Sequence, residues 1–466
     1  MVDFSTILQT PEIRALVQEN YLERAFYDGL FPGMVYRADV QAEHWNVAAG
    51  DTQIFTGEGL MPVSLRPGRP GVDPEPVSYP LEQWEAQMHQ WYGTADMHMP
   101  TNTLAIQDLL LKNCKKLGQQ AAQTLNRLVR NAMHNSVNAG WTVADGAASG
   151  GSSASLRVKH LNGFTRARNP NLTAGSRVRY NTVSSSNPLS ITIGGTTASV
   201  IGFTADTTGD ELGPGVLTLA ASASWSDRAA VLAVDRSDSR FVGGGTKVDD
   251  LSAVDLPTLQ DIRGCVTALR RNNVPVHPDG HYHVHMGPES EAAIFADTEV
   301  QRMNTGVPES YMYQDFVLTR ILGCLFVTNN EVPLARSVYP NDGVTWSFDD
   351  PFAAELKNDG TTSGMDVHRM LFTGFGGIRE YYQDPSAFIT EAGMIGKMGD
   401  VGFSNNGIEV AVERCKMIIR APLNRLQDNV ACTWTFLGDF PVRTDGAAPG
   451  TPARFKRMIE LRHGYA

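Results

Sequence analysis

No stretch of the 466-residue chain approaches the roughly 18 uninterrupted apolar residues of a membrane helix, so no helical span is encoded. Cysteine is scarce and scattered. Cys114, Cys265, Cys324, Cys415 and Cys432 form no CxxC pair and sit among apolar neighbours, which reads as buried, reduced thiols of a protein made in a cytosol. The opening MVDFSTILQT lacks the basic start and long apolar run of a secretory signal, so export is not expected. Bases are outnumbered, 39 Lys and Arg against 50 Asp and Glu, and the net charge of −11 is the wrong sign for a protein that grips nucleic acid on its own. No GxSxG, HExxH, complete GxxxxGK[ST] or kinase set occurs, so nothing points to catalysis.

What is present is a chain with 42% hydrophobic and 19% charged residues, which folds rather than staying disordered. Its length suits two or three domains, or one large fold with insertions. With 44 Gly and 25 Pro it is richer than average in turns, which favours β structure and loops. Charge is uneven: residues 1 to 100 hold fourteen acids against Arg14, Arg24, Arg37, Arg66 and Arg69. Between Arg157 and Arg179 there are six bases and no acid. Complementary patches on distant segments suit pairing between copies, and two solvated faces would leave the same signature. Arg outnumbers Lys 30 to 9, and its planar fork suits interfaces.

Thr10-Pro11-Glu12 followed by Ile13, Leu16, Val17, Tyr21 and Leu22 predicts an amphipathic helix from about 11 to 28, with an extended arm to about 56. Six prolines and four glycines between Gly57 and Pro80 exclude a helix or central strand there. Flanked by Thr52 to Phe55 and by Leu81 to Met99, this stretch predicts a long two-stranded projection with a stiff tip. Such a hairpin needs a neighbouring surface to lie on. From Asn102 to Asn138, apolar residues at 3-4 spacing (Ile106, Leu110, Cys114, Leu117, Ala121, Leu125, Leu128, Ala132) predict one long helix lying on a sheet. Short β-branched runs between Gly-rich ends over 142 to 248 predict a small inserted barrel or sandwich. Beyond it, Asp255-Leu256-Pro257 opens a helix, strands fall at 281 to 286, 322 to 328, 408 to 420 and 430 to 437, and a short helix at 288 to 296. The mixture is α+β.

His281, His283 and His285 share one strand face, with His277 nearby. At i, i+2 and i+4 they lie about 6.5 to 7 Å apart along the strand, too far for all three to reach one zinc, so packed or solvated histidines are expected. Gly374-Phe375-Gly376-Gly377 and Gly243-Gly244-Gly245-Thr246-Lys247 lack the spacing of phosphate loops.

An acidic arm, a proline-tipped projection, one very long helix, an inserted β domain and a closing α+β region follow the order of parts in tailed-phage major capsid proteins of the Hong Kong 97 fold. More narrowly the chain resembles the N-four-type branch. The matching stretches are Gly50-Asp51-Thr52, Lys116-Leu117-Gly118-Gln119-Gln120-Ala121 with Thr124-Leu125-Asn126, and Gly280-His281-Tyr282 with Gly287-Pro288-Glu289. Leu322-Gly323-Cys324-Leu325-Phe326-Val327-Thr328 and Asn429-Val430-Ala431-Cys432-Thr433-Trp434 continue the pattern. The resemblance implies an N-arm (1–48), an E-loop (49–100), a spine helix of the P domain (101–141), an inserted β domain (142–248), an A domain (249–400) and closing A/P strands (401–466).

It also implies a structural protein without enzymatic activity or cofactor, forming hexamers and pentamers of itself in an icosahedral shell around double-stranded DNA. The shell assembles in the host cytoplasm with portal and scaffolding proteins, and a decoration protein is a further partner. The DNA is met only by weak non-specific contact, and no membrane is involved. The residues placed at contacts between subunits are Arg66, Arg69, Arg157, Arg166 and Arg168. Two other classes stand beside this reading: an adhesive or carbohydrate-binding virion protein built on 142–248, and a metal-dependent hydrolase built on the histidine strand.

Overall fold

The strongest periodicity in the sequence becomes the longest element in the computed structural model. This describes residues 35–45, 50–58, 81–98, 109–168, 180–208, 212–234, 239–247, 250–305, 320–332, 366–383, 401–420, 429–443 and 457–465, with 63, 71 and 73 and without 253, 405–406 and 413. In chain order come β1 (Gln41–His44), the hairpin β2 (Thr52–Glu58) and β3 (Leu81–Gln87), β4 (His89–His98) and helix α1 (Leu109–Asn138). Next are β5 (Trp141–Val143), β6 (Ser153–Val158), β7 (Arg166–Arg168), β8 (Tyr180–Thr182), β9 (Leu189–Ile193), β10 (Thr196–Ala205), β11 (Gly215–Ala223), β12 (Ala230–Ala233) and β13 (Ser239–Phe241). Then follow α2 (Leu259–Arg271), β14 (Tyr282–Met286), α3 (Pro288–Phe295), α4 (Thr298–Thr305), β15 (Arg320–Ile321), β16 (Cys324–Thr328) and β17 (Asp366–Thr373). The last strands are β18 (Arg379–Tyr382), β19 (Val401–Ser404), β20 (Gly407–Val412), β21 (Cys415–Arg420), β22 (Asn429–Asp439) and β23 (Met458–Tyr465). The architecture is α+β.

The chain divides into two compact units. The first comprises Met1–Gln53, Ala86–Arg130 and Ile378–Pro441, the second Ile54–Glu85, Asn131–Gly377 and Val442–Ala466. In the first, a seven-stranded sheet runs β1-β18-β22-β21-β20-β19, with β4 also paired to β22. Strand β22 alternates strictly, burying Val430, Cys432, Trp434, Phe436 and Gly438. Cys114, Leu117, Ala121 and Leu125 of α1 are buried too, repeating every three or four residues. Gly93 shows how closely helix and sheet approach. A Cβ there would sit 2.5 Å from Gln120 Oε1 and Trp434 Nε1, while Trp434 Nε1 donates to Gln120 Oε1 at 3.3 Å. Burying a Phe-sized side chain contributes ~1.5–3 kcal/mol.

The second unit holds two six-stranded sheets. The antiparallel β5-β12-β9-β10-β11-β6 encloses its own core of Leu156, Phe164, Ile191, Leu217 and neighbours. The sheet β13-β23-β17-β14-β16-β15 packs against α2 and α3 over Ile262, Leu269, Val284, Met370, Phe372 and Ile459.

Several expectations shift by identifiable causes. Helix α2 starts at Leu259 rather than at Asp255-Leu256-Pro257, because Thr258 and Asp261 form a reciprocal capping box. The run 408–420 is two strands, β20 and β21, paired from Gly407↔Arg420 to Val412↔Cys415. The projection's second strand ends at Gln87, and β4 instead pairs with β22 over ten residues, His98↔Asn429 to His89↔Gly438. Over 142–248, where a small inserted barrel or sandwich is expected, one six-stranded antiparallel sheet uses 141–233, while β13 joins β23 in the other sheet. Strands of 249–400 and 401–466 are shared between the two units. The expected N-terminal helix, the proline-rich tip and the start of the long helix at Asn102 lie outside the described residues.

Candidate interaction surfaces

The root of the arm is fixed by a buried charge cluster. The backbone N–H groups of Tyr36 and Arg37 donate to Asn126 Oδ1 at 2.8 and 3.4 Å. Arg37 forks onto Glu380, Nε to Oε2 at 2.9 Å and Nη2 to Oε1 at 2.5 Å, and Arg414 Nη1 donates to Oε2 at 2.9 Å. Glu380 is fully buried. Burial alone would raise its pKa, but the Arg37 hydrogen bonds and charge, with Arg414, hold it below the ordinary carboxylate value. Four parallel pairs, Gln41↔Arg379 to His44↔Tyr382, follow directly, and Arg379 pairs with Glu43. Such fork-on-carboxylate bonds specify geometry as well as energy.

In the hairpin, Phe55 and Trp84 stack at 6.1 Å and the Arg443 guanidinium lies 5.5 Å over the Trp84 ring. Ile54, one residue before Phe55, is 39% exposed. Arg66 and Arg69 lie outside the described residues.

Arg157 is engaged within its own chain. It donates to Asp206 at 2.6 Å and Asp145 at 3.2 Å, and Lys159 meets Asp145 at 2.6 Å. The Lys159 hydrogen bond, then its charge and Arg157, outweigh partial burial and keep Asp145 low. Arg166 is half-buried on β7 and pairs through its backbone with Thr182, and Arg168 pairs likewise with Tyr180. Ala167 between them is buried.

The histidines have distinct roles. His285 is buried on β14 between β16 and β17. His283 Nε2 donates to Asp279 Oδ2 at 3.0 Å and stacks at 3.9 Å on His277, while His281 Nδ1 donates to the Asp279 carbonyl at 2.8 Å. These bonds tie His281 and His283 to Asp279. Of the aromatics that a carbohydrate platform would need, Phe164 and Phe241 are buried, and Phe203 and Trp225 pack onto the inner core of their sheet. Gly374 belongs to packing as well, since a Cβ there would lie 2.2 Å from Val274 Cγ1.

One cluster gave no sequence signal. Glu460 and Arg462 of β23, Arg369 of β17 and His134 of α1 are all fully buried. Arg462 Nε donates to Glu460 Oε1 at 2.8 Å, His134 Nδ1 donates to Glu460 Oε2 at 3.0 Å, and Arg462 also donates to Asn138. Its guanidinium lies 4.5 Å over Trp141 and 5.2 Å over Phe241. Burial opposes the charge on Glu460, but Arg462 and Arg369 outweigh it and hold the carboxyl far below its usual range. Burial, then Arg462 and Arg369, push His160 down to about 3.

No protein-family profile matches the chain, and no curated protein is similar to it in sequence. Solved structures are similar in fold. The capsid of cyanophage Pam1 aligns with a TM-score of 0.50 at 10% identity, over 94% of this chain and 92% of that one. The capsid of cyanophage P-SCSP1u gives 0.48 at 10% identity, over 93% and 89%. That of Ralstonia phage GP4 gives 0.44 at 11%, over 92% and 86%. The Pam1 alignment shows a fold similar to that of a phage capsid protein over 94% of this chain.

Proposed function

We propose that this chain, folded as a phage capsid protein, is the major capsid protein of a tailed phage and builds an icosahedral shell around double-stranded DNA. The observation that carries the reading is the coverage of a capsid fold along nearly the whole chain, with no large segment left over for another activity. Physically, a closed shell needs many modest, repeated contacts of one surface with another. An arm rooted by Arg37 and Glu380, and a hairpin without a core of its own, are the elements that reach for such contacts.

In this reading residues 1–48 are the N-arm, the β2-β3 hairpin with its tip is the E-loop, α1 is the spine helix, and the β5–β12 sheet is the insertion. Arg66, Arg69, Arg157, Arg166 and Arg168 face neighbouring copies, Arg157 by exchanging an internal partner for an external one. The partners are hexamers and pentamers of the chain itself, a portal, a scaffolding protein and a decoration protein. Acidic composition keeps contact with packaged DNA weak. The protein works in the virion after assembly in host cytoplasm, as a structural component and not an enzyme. Among the described residues no helix is long and apolar enough to cross a membrane.

Electron microscopy and sedimentation of the purified full chain test this. Shells, tubes or capsomer-sized rings are expected, and a monodisperse monomer at all concentrations would overturn it.

A further inference from the structure

The turn 277–281, which leads into β14 in the second unit, is closed twice by its own backbone. The His277 N–H donates to the His281 carbonyl at 3.0 Å, and the Gly280 N–H donates to the His277 carbonyl at 2.8 Å. Gly280 makes the turn at φ 84, a conformation that glycine adopts without strain. The turn holds Asp279 against His281 and His283. Its Oδ1 accepts from the His281 N–H at 3.1 Å, which places Oδ2 3.0 Å from His283 Nε2 and 3.9 Å from His281 Nδ1. Burial would raise the Asp279 carboxyl, but the bonds from His281 and His283 outweigh it and keep it low, so a carboxylate faces the two imidazoles. His277 stacks on the His283 ring at 3.9 Å with the planes 6° apart, and Thr373 Oγ1 donates to the His283 carbonyl at 3.3 Å. Both the ring and the backbone of His283 are therefore held in place.

A zinc ion binds carboxylate oxygen and imidazole nitrogen at about 2.0–2.2 Å, which sets neighbouring donors about 3.3 Å apart in a tetrahedron. The separations of 3.0 Å and 3.9 Å from Asp279 Oδ2 bracket that spacing. We infer that Asp279, His281 and His283 form a three-ligand site for a divalent transition-metal ion of the zinc class. The row of three strand histidines is too spread to share one ion, and His285 is buried between β16 and β17; the turn supplies Asp279 in its stead. The metal replaces the proton that His283 Nε2 donates to Oδ2, and His281 Nδ1 turns toward it from the Asp279 carbonyl, 2.8 Å away. The three side chains are 15–32% exposed, so water can complete the coordination. Two imidazoles beside one carboxylate suit Zn²⁺ better than Ca²⁺ or Mg²⁺, which ask for shells of oxygen. The site lies within one subunit and does not depend on the shell proposed above.

The test titrates ZnCl₂ into the untagged full chain against a chromophoric chelator, beside the double variant D279N/H283N and a control, H89N, at an exposed histidine of β4. One zinc per chain is expected in the unaltered protein and in H89N, with affinity about tenfold or more lower in the double variant. The thermal transition in EDTA shows whether the double variant is folded. X-ray absorption of the zinc-loaded unaltered chain decides the question without any variant, since nitrogen and oxygen donors with the scattering pattern of two imidazoles are expected. No zinc held by the unaltered chain, equal affinity in a folded double variant, or sulfur in the coordination shell overturns the inference.

Discussion

Replacing Glu380 by Gln is the sharpest probe of how the arm is rooted. The change is isosteric, yet it removes the charge that two guanidinium groups share and turns one acceptor into an N–H₂ donor facing them. The Arg37 side chain is only 6% exposed and cannot turn to water. Breaking a buried pair by altering one partner costs about 3–5 kcal/mol. For a unit of 150–250 residues that corresponds to a fall in Tm of roughly 10 °C. Calorimetry of the unassembled chain reads the fall, and hydrogen exchange locates it, because the amides of β1 should lose protection together. The double variant R37M/E380M should recover most of the loss, since apolar replacement of a buried pair is often neutral, and Arg414, 29% exposed, can reach solvent. Because the carboxyl is held low in the fold, the pair's contribution is complete above the ordinary value of 4.5 and disappears as pH falls through the lowered one. A Tm within about 1 °C of the parent with unchanged exchange over 36–44 would refute the reasoning.

Three further outcomes follow from other parts of the chain. Both ring nitrogens of His160 are buried without a hydrogen-bond partner among the described residues, and its pKa is depressed from 6.5 to about 3, so the unfolded chain binds the extra proton and stability falls with pH below 6.5, by about 1.4 kcal/mol per pH unit. His160→Leu should be near neutral at pH 7 and flatten this slope in a series of melts; an unchanged slope would assign the acid sensitivity elsewhere. Val143 pairs with Ala230 on neighbouring antiparallel strands, so replacing 144–229 with an Asn-Gly turn should leave a soluble, cooperatively folding chain, and loss of all soluble protein would contradict that modularity. Particles boiled in detergent should run as a single 50.7 kDa band with or without reductant, because no lysine precedes Lys112 and all five cysteines are buried, with burial pushing the Cys324 thiol up to about 12; a surviving ladder would reveal a cross-link.

Legibility in the sequence tracked locality. Helix α1 was readable because its partners repeat every three or four residues, and β22 because it alternates between a buried and a half-buried face. Strand β23 was not, since Met458 to Gly464 are buried on both faces and Glu460, Arg462 and His463 look like surface residues to any hydropathy pattern. The β20-β21 break was hidden in one continuous apolar-rich run. Arg37 and Glu380 are 343 residues apart, so nothing local could pair them. The order of parts disclosed the capsid fold, while the approach of Asp279 to His283 needed coordinates, because it depends on the 277–281 turn that the His277 N–H closes onto the His281 carbonyl.

The buried ions of β17 and β23 also act as a ruler. Eight consecutive residues pair between these strands, with Arg369 opposite Arg462 and Leu371 opposite Glu460. Sliding one strand by a single residue would swing Glu460 and Arg462 to the opposite face of the sheet, away from His134, Asn138 and the ring of Trp141. An all-aliphatic strand pair would tolerate that slip with modest loss, whereas stranded charges inside a core make it prohibitive. In the proposed shell, where one misaligned copy would spoil every neighbour it touches, this cluster would serve fidelity of shape more than strength.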